Sequence, residues 1–447
     1  MTASSFRQQW RTTNILGWPT DVVSVDPKPA TEDVHCLEHR RSGNRRRRDY
    51  SSSVHTILFW VPGNPGQHDW YNSDFISVLS GLERGYAIRS ISHAGHGLTN
   101  TNDGDEGGAD DIPITNVEDY CRRIGNSGES NACSPLIPWT VEGQVLHKIA
   151  YIDNLLSEIA EANRQDTHRS QSCKENKEQH RCAFAPGLRF IFIGHSFGCH
   201  IIQRMCVLRP DILQRASGFL FMMPYIRTKP SSIVDQRKLN LAGSHPEHLI
   251  AISTKLSRLL GHFPASAIHG LIRKGLQSGS GSGEGGDDSH AEIVTNIIAK
   301  ILRNSVYPRN FFELGTEEIR DIPNEIDTAA LRLLSSRRQL LYQTTNNGDS
   351  KHDKSREHSR GRPICILYAG DNDQWCPSFH GEEIKAYQSA NLLPKSIKTT
   401  KIPGLRHDYV CQNKLARSKV NGWCIENILQ MNHGTPPSTT MLQSSKL

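Results

Sequence analysis

Eleven cysteines are scattered through the 447 residues without a single CxxC pair. An odd, irregularly spaced set of this kind supports neither a zinc knuckle nor a disulfide framework. No stretch approaches the ~18 consecutive apolar residues that a spanning helix needs. The first twenty residues, MTASSFRQQWRTTNILGWPT, lack the apolar segment of a secretory signal. An intracellular, reducing environment without a transmembrane anchor is therefore expected. Aromatic residues make up 7%, apolar residues 36% and charged residues 22%. That is polar for a globular enzyme, so part of the length is expected to stay outside any core. A strong excess of one charge is missing too. The formal net charge is +6, drawn partly from one run at residues 40–48 (RRSGNRRRR). Such a run reads first as a solvated loop or tail, with an anionic membrane surface or a nucleic acid as the alternative, and no nucleic-acid partner is expected of the protein.

What the chain does contain is a series of short apolar runs separated by helical patterns. Residues 56–61 (TILFWV), 86–92 (YAIRSIS), 188–193 (LRFIFI), 216–223 (ASGFLFMM), 364–368 (ICILY) and 396–402 (SIKTTKI) read as strands. Continuous apolar runs of this length suit strands covered on both faces. Between the second and third, Val141, Val145, Ile149, Ile152, Leu155, Leu156 and Ile159 recur at three-to-four spacing and predict a long helix. The class is α/β, a mostly parallel central sheet with helices on both faces. Residues 103–111, 164–181, 277–290 and 344–362 are Gly/Ser-rich or densely charged, and read as polar surface insertions.

The region from 225 to 343 interrupts the strand series and predicts a helical cap over the carboxyl edge of the sheet. Leu249, Ile252, Leu256, Leu259, Leu260 and Phe263 form one helical stripe, and Ile293, Val294, Ile297, Ile298, Ile301 and Leu302 another. Packing onto the core is the plain reading of these stripes; contact with lipid or an apolar substrate is the sharper one. The expected divisions are an N-terminal extension over 1–53, a core over 54–224, the cap over 225–343, a polar linker over 344–362, a second part of the core over 363–434 and a flexible tail over 435–447.

Gly194–His195–Ser196–Phe197–Gly198 follows the strand LRFIFI directly and precedes a helical run. Glycines flanking a serine at a strand-to-helix turn permit a sharp bend that lifts the hydroxyl above the sheet edge. A serine needs a base to become a nucleophile near neutral pH. His407 lies in the loop just beyond the last strand, alone among 21 histidines in that position. An acid is expected just past the preceding strand. The Gly-x-x-Asp spacing selects Asp373, with Asp371 as its competitor. The oxyanion of an acyl-transfer reaction needs donors. These are expected from the backbone N–H of Phe197 and from the loop Pro62–Gly63–Asn64–Pro65–Gly66, with Asn64 pointing inward. After the next strand, His93 and His96 are expected to shape the floor of the site. An H-x-x-H pair also suggests metal, but a strand-end loop without a third ligand argues against it. Gly143–Gln144–Val145–Leu146–His147–Lys148 places polar residues on a buried helix and predicts helix–loop contacts. No metal or organic cofactor is expected. A carboxylate in place of Ser196 would be needed for dehalogenase or epoxide hydrolase chemistry.

Five motifs occur in order: PGNPG at 62–66, ISHAGH at 91–96, GQVLHK at 143–148, GHSFG at 194–198 and DQWCP at 373–377, followed by the late His407. In these the chain resembles the lipid-droplet-associated hydrolase family, over roughly residues 54–408. The resemblance implies the α/β-hydrolase fold and a Ser196–His407–Asp373 triad. It also implies a lipid ester substrate, sterol esters among the candidates, and residence on lipid droplets or the endoplasmic reticulum. A thioesterase, a short-chain esterase or a droplet-organising protein with weak catalysis is the alternative. The arginine run and the four polar insertions look like additions to the family pattern. The apolar stretch that family members carry in the cap is interrupted here by Lys255, Arg258, His262, His269, Arg273 and Lys274. That composition suits an amphipathic helix lying on a phospholipid monolayer.

Overall fold

The structure is a computed structural model that describes residues 6–16, 18–28, 54–82, 85–94, 96, 140–172, 184–227, 246–279, 288–303, 307–336, 361–370, 373 and 375–433. Its strands are β1 (Phe6–Ile15), β2 (Trp18–Pro27), β3 (Val54–Val61), β4 (Tyr86–Ile91), β5 (Phe184–His195), β6 (Ala216–Met222), β7 (Ile364–Tyr368) and β8 (Ile397–Lys401). They form one sheet in the order β1-β2-β4-β3-β5-β6-β7-β8. Pairing is parallel from β4 through β8 and antiparallel on both sides of β2.

The helices are α1 (Asn72–Ser80), α2 (Val141–Ser172), α3 (Phe197–Leu208), α4 (Pro210–Arg215), α5 (Pro246–Gly261), α6 (Ala265–Gly279), α7 (Asp288–Arg303), α8 (Tyr307–Asp321), α9 (Thr328–Ser335), α10 (Phe379–Ser389) and α11 (Lys414–His433). Successive strand residues point to opposite faces, and β3 shows what each face meets. Phe59 stacks on Tyr151 of α2, while Trp60 packs edge-on against Phe75 of α1. Every residue of β4, β6 and β7 is buried, as a sheet covered on both sides requires.

This is the α/β-hydrolase fold. Chain order runs from β3 outward to β4 and then back across β3 to β5. The crevice at the carboxyl ends of β3 and β5 is thus the switch point where such sheets hold ligands.

Three expectations change. Residues 6–27, expected as part of an N-terminal extension, form the edge hairpin of the sheet. β2 buries Val22, Val23 and Val25 and pairs with β4 from Val22 to Val25. Residues 164–172, expected as the start of a polar insertion, continue α2, because a helix already running needs only one more hydrogen bond per added residue. The stripe on α5 faces outward: Ile252 is 66% exposed, Leu259 56% and Leu256 49%. On α7 the second stripe divides, with Val294 and Ile297 buried and Ile293 exposed. The segments 103–111, 173–181 and 344–360 lie outside the described residues, as do 280–287, the centre of the Gly/Ser-rich segment.

Candidate active site

Ser196 follows β5 and opens α3 with φ 51° and ψ −122°, a backbone region that L residues rarely occupy and that stores strain at functional turns. The surroundings hold it there. Ser196 N–H donates to Met222 O at 2.9 Å, and Ser196 O accepts from Cys199 N and Tyr225 N, each at 3.1 Å. The turn also fits only without a side chain at Gly198, where a Cβ would collide with the carbonyl oxygens of Val61 and Pro62. Gly63 is also close, where a Cβ would lie 2.8 Å from Ser196 Cβ.

His407, in the loop after β8, bridges two partners. Its Nε2 is 2.8 Å from Ser196 Oγ and its Nδ1 is 2.9 Å from Asp373 Oδ2. The other carboxylate oxygen, Asp373 Oδ1, accepts from the backbone N–H groups of Trp375 and Cys376, both at 2.9 Å. Burial pushes the Asp373 pKa up. The His407 hydrogen bond and charge, together with the two N–H donors, outweigh that and hold it below the usual carboxylate value. Asp373 thus stays ionised beside the imidazole, the arrangement that fixes a base's tautomer and stabilises its charged form. The competing Asp371 lies outside the described residues.

Phe197 is fully buried at the head of α3, where the first backbone N–H groups have no partner within the helix. Asn64, in the loop after β3, donates from Nδ2 to Phe311 O of α8 at 3.4 Å. Tyr307, also on α8, donates its hydroxyl proton to Pro65 O at 2.6 Å. The helical insertion is therefore bonded directly to the expected oxyanion loop.

His93 and His96 are both buried, their rings 5.9 Å apart and edge to face. His93 packs against Phe197 with centroids 5.7 Å apart, and its N–H donates to Gly66 O at 2.9 Å. Gly66 in turn donates to Gly63 O at 2.5 Å. Burial, with the nearby Lys148 as a further cause, lowers both imidazoles, His96 to about 4 and His93 well below its usual value. They therefore stand as neutral wall residues near neutral pH.

The helix motif at 143–148 secures this wall. Gln144 accepts from Ala94 N at 3.0 Å and donates to Ala94 O at 3.2 Å, while Lys148 Nζ donates to Ser92 O at 3.0 Å. His147 Nε2 lies 2.7 Å from Thr20 Oγ1, tying α2 to β2.

Two side chains near the site carry no signal in the sequence. Tyr71 reaches the elbow through its hydroxyl, 2.6 Å from His195 Nδ1. Glu318 of α8 is buried, with the Asn64 amide in hydrogen-bonding reach of its carboxyl. Both contacts join residues more than 100 positions apart, and no local pattern marks them. A separate cavity of about 470 Å³ lies at the sheet edge between β1 and α2, lined by Trp10, Arg11, Arg89 and Tyr151 among others. It shares no residue with the Ser196 site.

A model of the lipid-droplet associated hydrolase family matches residues 54–410. Among solved structures, the chain is similar to an epoxide hydrolase from Vigna radiata, at 13% identity and a TM-score of 0.46, over 96% of this chain and 99% of that one. It is also similar to an α/β hydrolase fold protein from Burkholderia ambifaria, at 12% identity and a TM-score of 0.44, over 94% and 97%. A thermophilic esterase from Thermogutta terrifontis is similar at 11% identity and a TM-score of 0.42, over 95% and 99%. No curated protein matches the chain.

Proposed function

The chain belongs to the lipid-droplet associated hydrolase family, and on that premise we propose that it cleaves carboxylic esters of lipids, sterol esters among them, through a Ser196 acyl-enzyme. One observation carries this reading: the His407 ring spans Ser196 Oγ at 2.8 Å and Asp373 Oδ2 at 2.9 Å. His407 Nε2 takes the hydroxyl proton as Ser196 Oγ attacks the ester carbonyl. Asp373 stabilises the resulting imidazolium. The backbone N–H groups of Phe197 and Asn64 receive the oxyanion of the tetrahedral intermediate. His407 then protonates the departing alcohol, and a water activated by the same imidazole releases the acid.

In this reading α5–α9 serve as the cap, and the exposed face of α5 meets the surface of a lipid droplet or the endoplasmic reticulum. Leu249, Ile252, Leu256 and Leu259, with Phe263 just past the helix end, are all exposed, and exposed Lys255 and Arg258 lie on α5. Burying three or four such side chains supplies several kcal/mol at about 25 cal/mol per Å², and the cations add attraction to an anionic monolayer. α5 packs on α8, which is bonded to the loop holding Asn64, so the outer apolar face stands one helix away from the reaction centre.

Fluorophosphonate labelling followed by an ester panel tests the chemistry. Full-length protein should label and hydrolyse sterol and glycerol esters, and Ser196→Ala should do neither. Labelling that survives Ser196→Ala would refute the reading, and turnover confined to thioesters would replace its substrate class.

A further inference from the structure

His195, the residue before the nucleophile, has both ring nitrogens engaged. Nε2 is 2.9 Å from His407 O, and Nδ1 is 2.6 Å from Tyr71 Oη. A carbonyl oxygen only accepts, so Nε2 must carry the proton and Nδ1 must accept. Tyr71 therefore donates to Nδ1, and its oxygen accepts in turn from Gly63 N–H at 3.4 Å. One proton arrangement satisfies every member: Gly63 N–H to Tyr71 Oη, Tyr71 O–H to His195 Nδ1, and His195 Nε2–H to His407 O.

The His195 ring is packed on three sides as well. Tyr409 meets it edge-on at 5.3 Å, Tyr71 edge-on at 5.8 Å and the His407 ring at 5.4 Å. Gly63 packs close against the elbow, since a Cβ there would lie 3.0 Å from His195 O and 3.3 Å from His195 Nδ1. The chain thus ties together three segments that meet nowhere in sequence: the loop after β3, the elbow after β5 and the loop after β8.

We propose that His195 and Tyr71 are positioning residues, a hydrogen-bonded strut that sets the His407 backbone and the Gly63–Asn64 loop in register with Ser196. The inference rests on the acyl-enzyme reading above. The strut does not titrate near neutral pH. Burial first, and then the neighbouring His407, hold the His195 imidazole down to about 3, while burial pushes the Tyr71 phenol up. A cationic His195 would oppose the charge that His407 gains on taking the serine proton, so a neutral ring here leaves that step unopposed. The strut also occupies the Gly63 N–H, leaving Asn64 N–H as the donor from this loop that remains for the oxyanion.

Steady-state kinetics on a p-nitrophenyl ester with the full-length protein test this. His195→Phe keeps an aromatic ring and removes both bonds. It should lower kcat ~100-fold, the size expected when reacting groups lose their alignment, with KM within about threefold because ground-state binding is untouched. Tyr71→Phe should lower kcat ~10-fold. The double variant should be no worse than His195→Phe, since residues acting as one unit are non-additive. His195→Gln, which restores a donor toward His407 O, should recover most of kcat. The acid limb of the kcat/KM profile should shift in His195→Phe and return in His195→Gln.

Wild-type kcat in Tyr71→Phe, or equal losses in His195→Gln and His195→Phe, would overturn the proposal. If His195→Phe does not fold, Tyr71→Phe and His195→Gln decide the question on their own. Ser196→Ala separates the two levels. If it still turns over substrate, the acyl-enzyme reading fails. If it is inactive while the strut variants keep wild-type kcat and pH profile, the strut alone fails.

Discussion

The sheet and α5 treat the same side-chain chemistry in opposite ways. Phe59, Trp60, Phe192 and Phe219 are fully buried between two helical layers, whereas Ile252 and Leu259 are more than half exposed on α5. The apolar side chains of β3, β4, β6 and β7 are all buried, and on α2 behind them the buried Lys148 and His147 are bonded to each other, with Lys148 also bonded to the backbone. On α5 the apolar face is left largely exposed by the described residues. Large apolar patches on a soluble surface mark contact sites. On the function proposed above, the difference separates two tasks: the sheet and its loops would fix reacting atoms, and the insertion would meet a lipid surface.

The comparison breaks most sharply at Asp373. Asp373→Asn removes the charge beside His407 and, with an amide N–H available to Nδ1, favours the wrong tautomer. A loss in kcat of about 10⁴-fold is expected by analogy with the acid of other serine triads, measured on a soluble ester, with droplet association unchanged. A loss of tenfold or less would remove Asp373 from the acid role. The complementary variant, Leu256→Ser/Leu259→Ser/Phe263→Ser, should move a tagged protein from droplets to the soluble fraction while fluorophosphonate labelling and soluble-ester turnover stay within about twofold, because exposed positions contribute little to the fold. A triple variant that unfolds would show that this face packs on protein after all.

The contrast also explains which parts of the molecule were legible in sequence. β7 was expected over 364–368 and has those bounds, because five buried residues in a row leave an unbroken apolar run. β1 was missed because its pattern, FRQQWRTTNI, is that of an edge strand. Trp10 is 45% exposed while Phe6 and Ile15 are buried, so no apolar run forms. The convergence of Ser196, Asp373 and His407 was legible because each follows a strand in the chain order this fold imposes. The orientation of α5 was not, since an inward and an outward stripe share one periodicity. Nor was the His195–Tyr71 contact, which joins positions 124 apart without any local pattern.

The smallest effect is expected at the seam between the two regions, where Glu318 of α8 meets the Asn64 loop. Glu318 is buried, and burial raises its carboxyl well above the ordinary value of 4.5 despite the hydrogen bond from Asn64. The sign follows from proton linkage. The fold favours the protonated acid, whereas the unfolded chain ionises near 4.5. Below that value both states hold the proton and no cost arises. As pH rises above it, the unfolded state gains by ionising, and stability falls until the folded carboxyl ionises too. Glu318→Gln removes the titration and keeps a polar group against Asn64. It should therefore raise the melting temperature at pH 8. The gain should shrink toward zero as pH falls to about 4.5. Thermal melts of wild type and variant at pH 8, 6 and 4.5 measure it. A gain that is constant across pH would assign the effect to packing and not to the buried acid. A loss at pH 8 would mean that the carboxyl is ionised and contributes to holding α8 on the loop that carries Asn64.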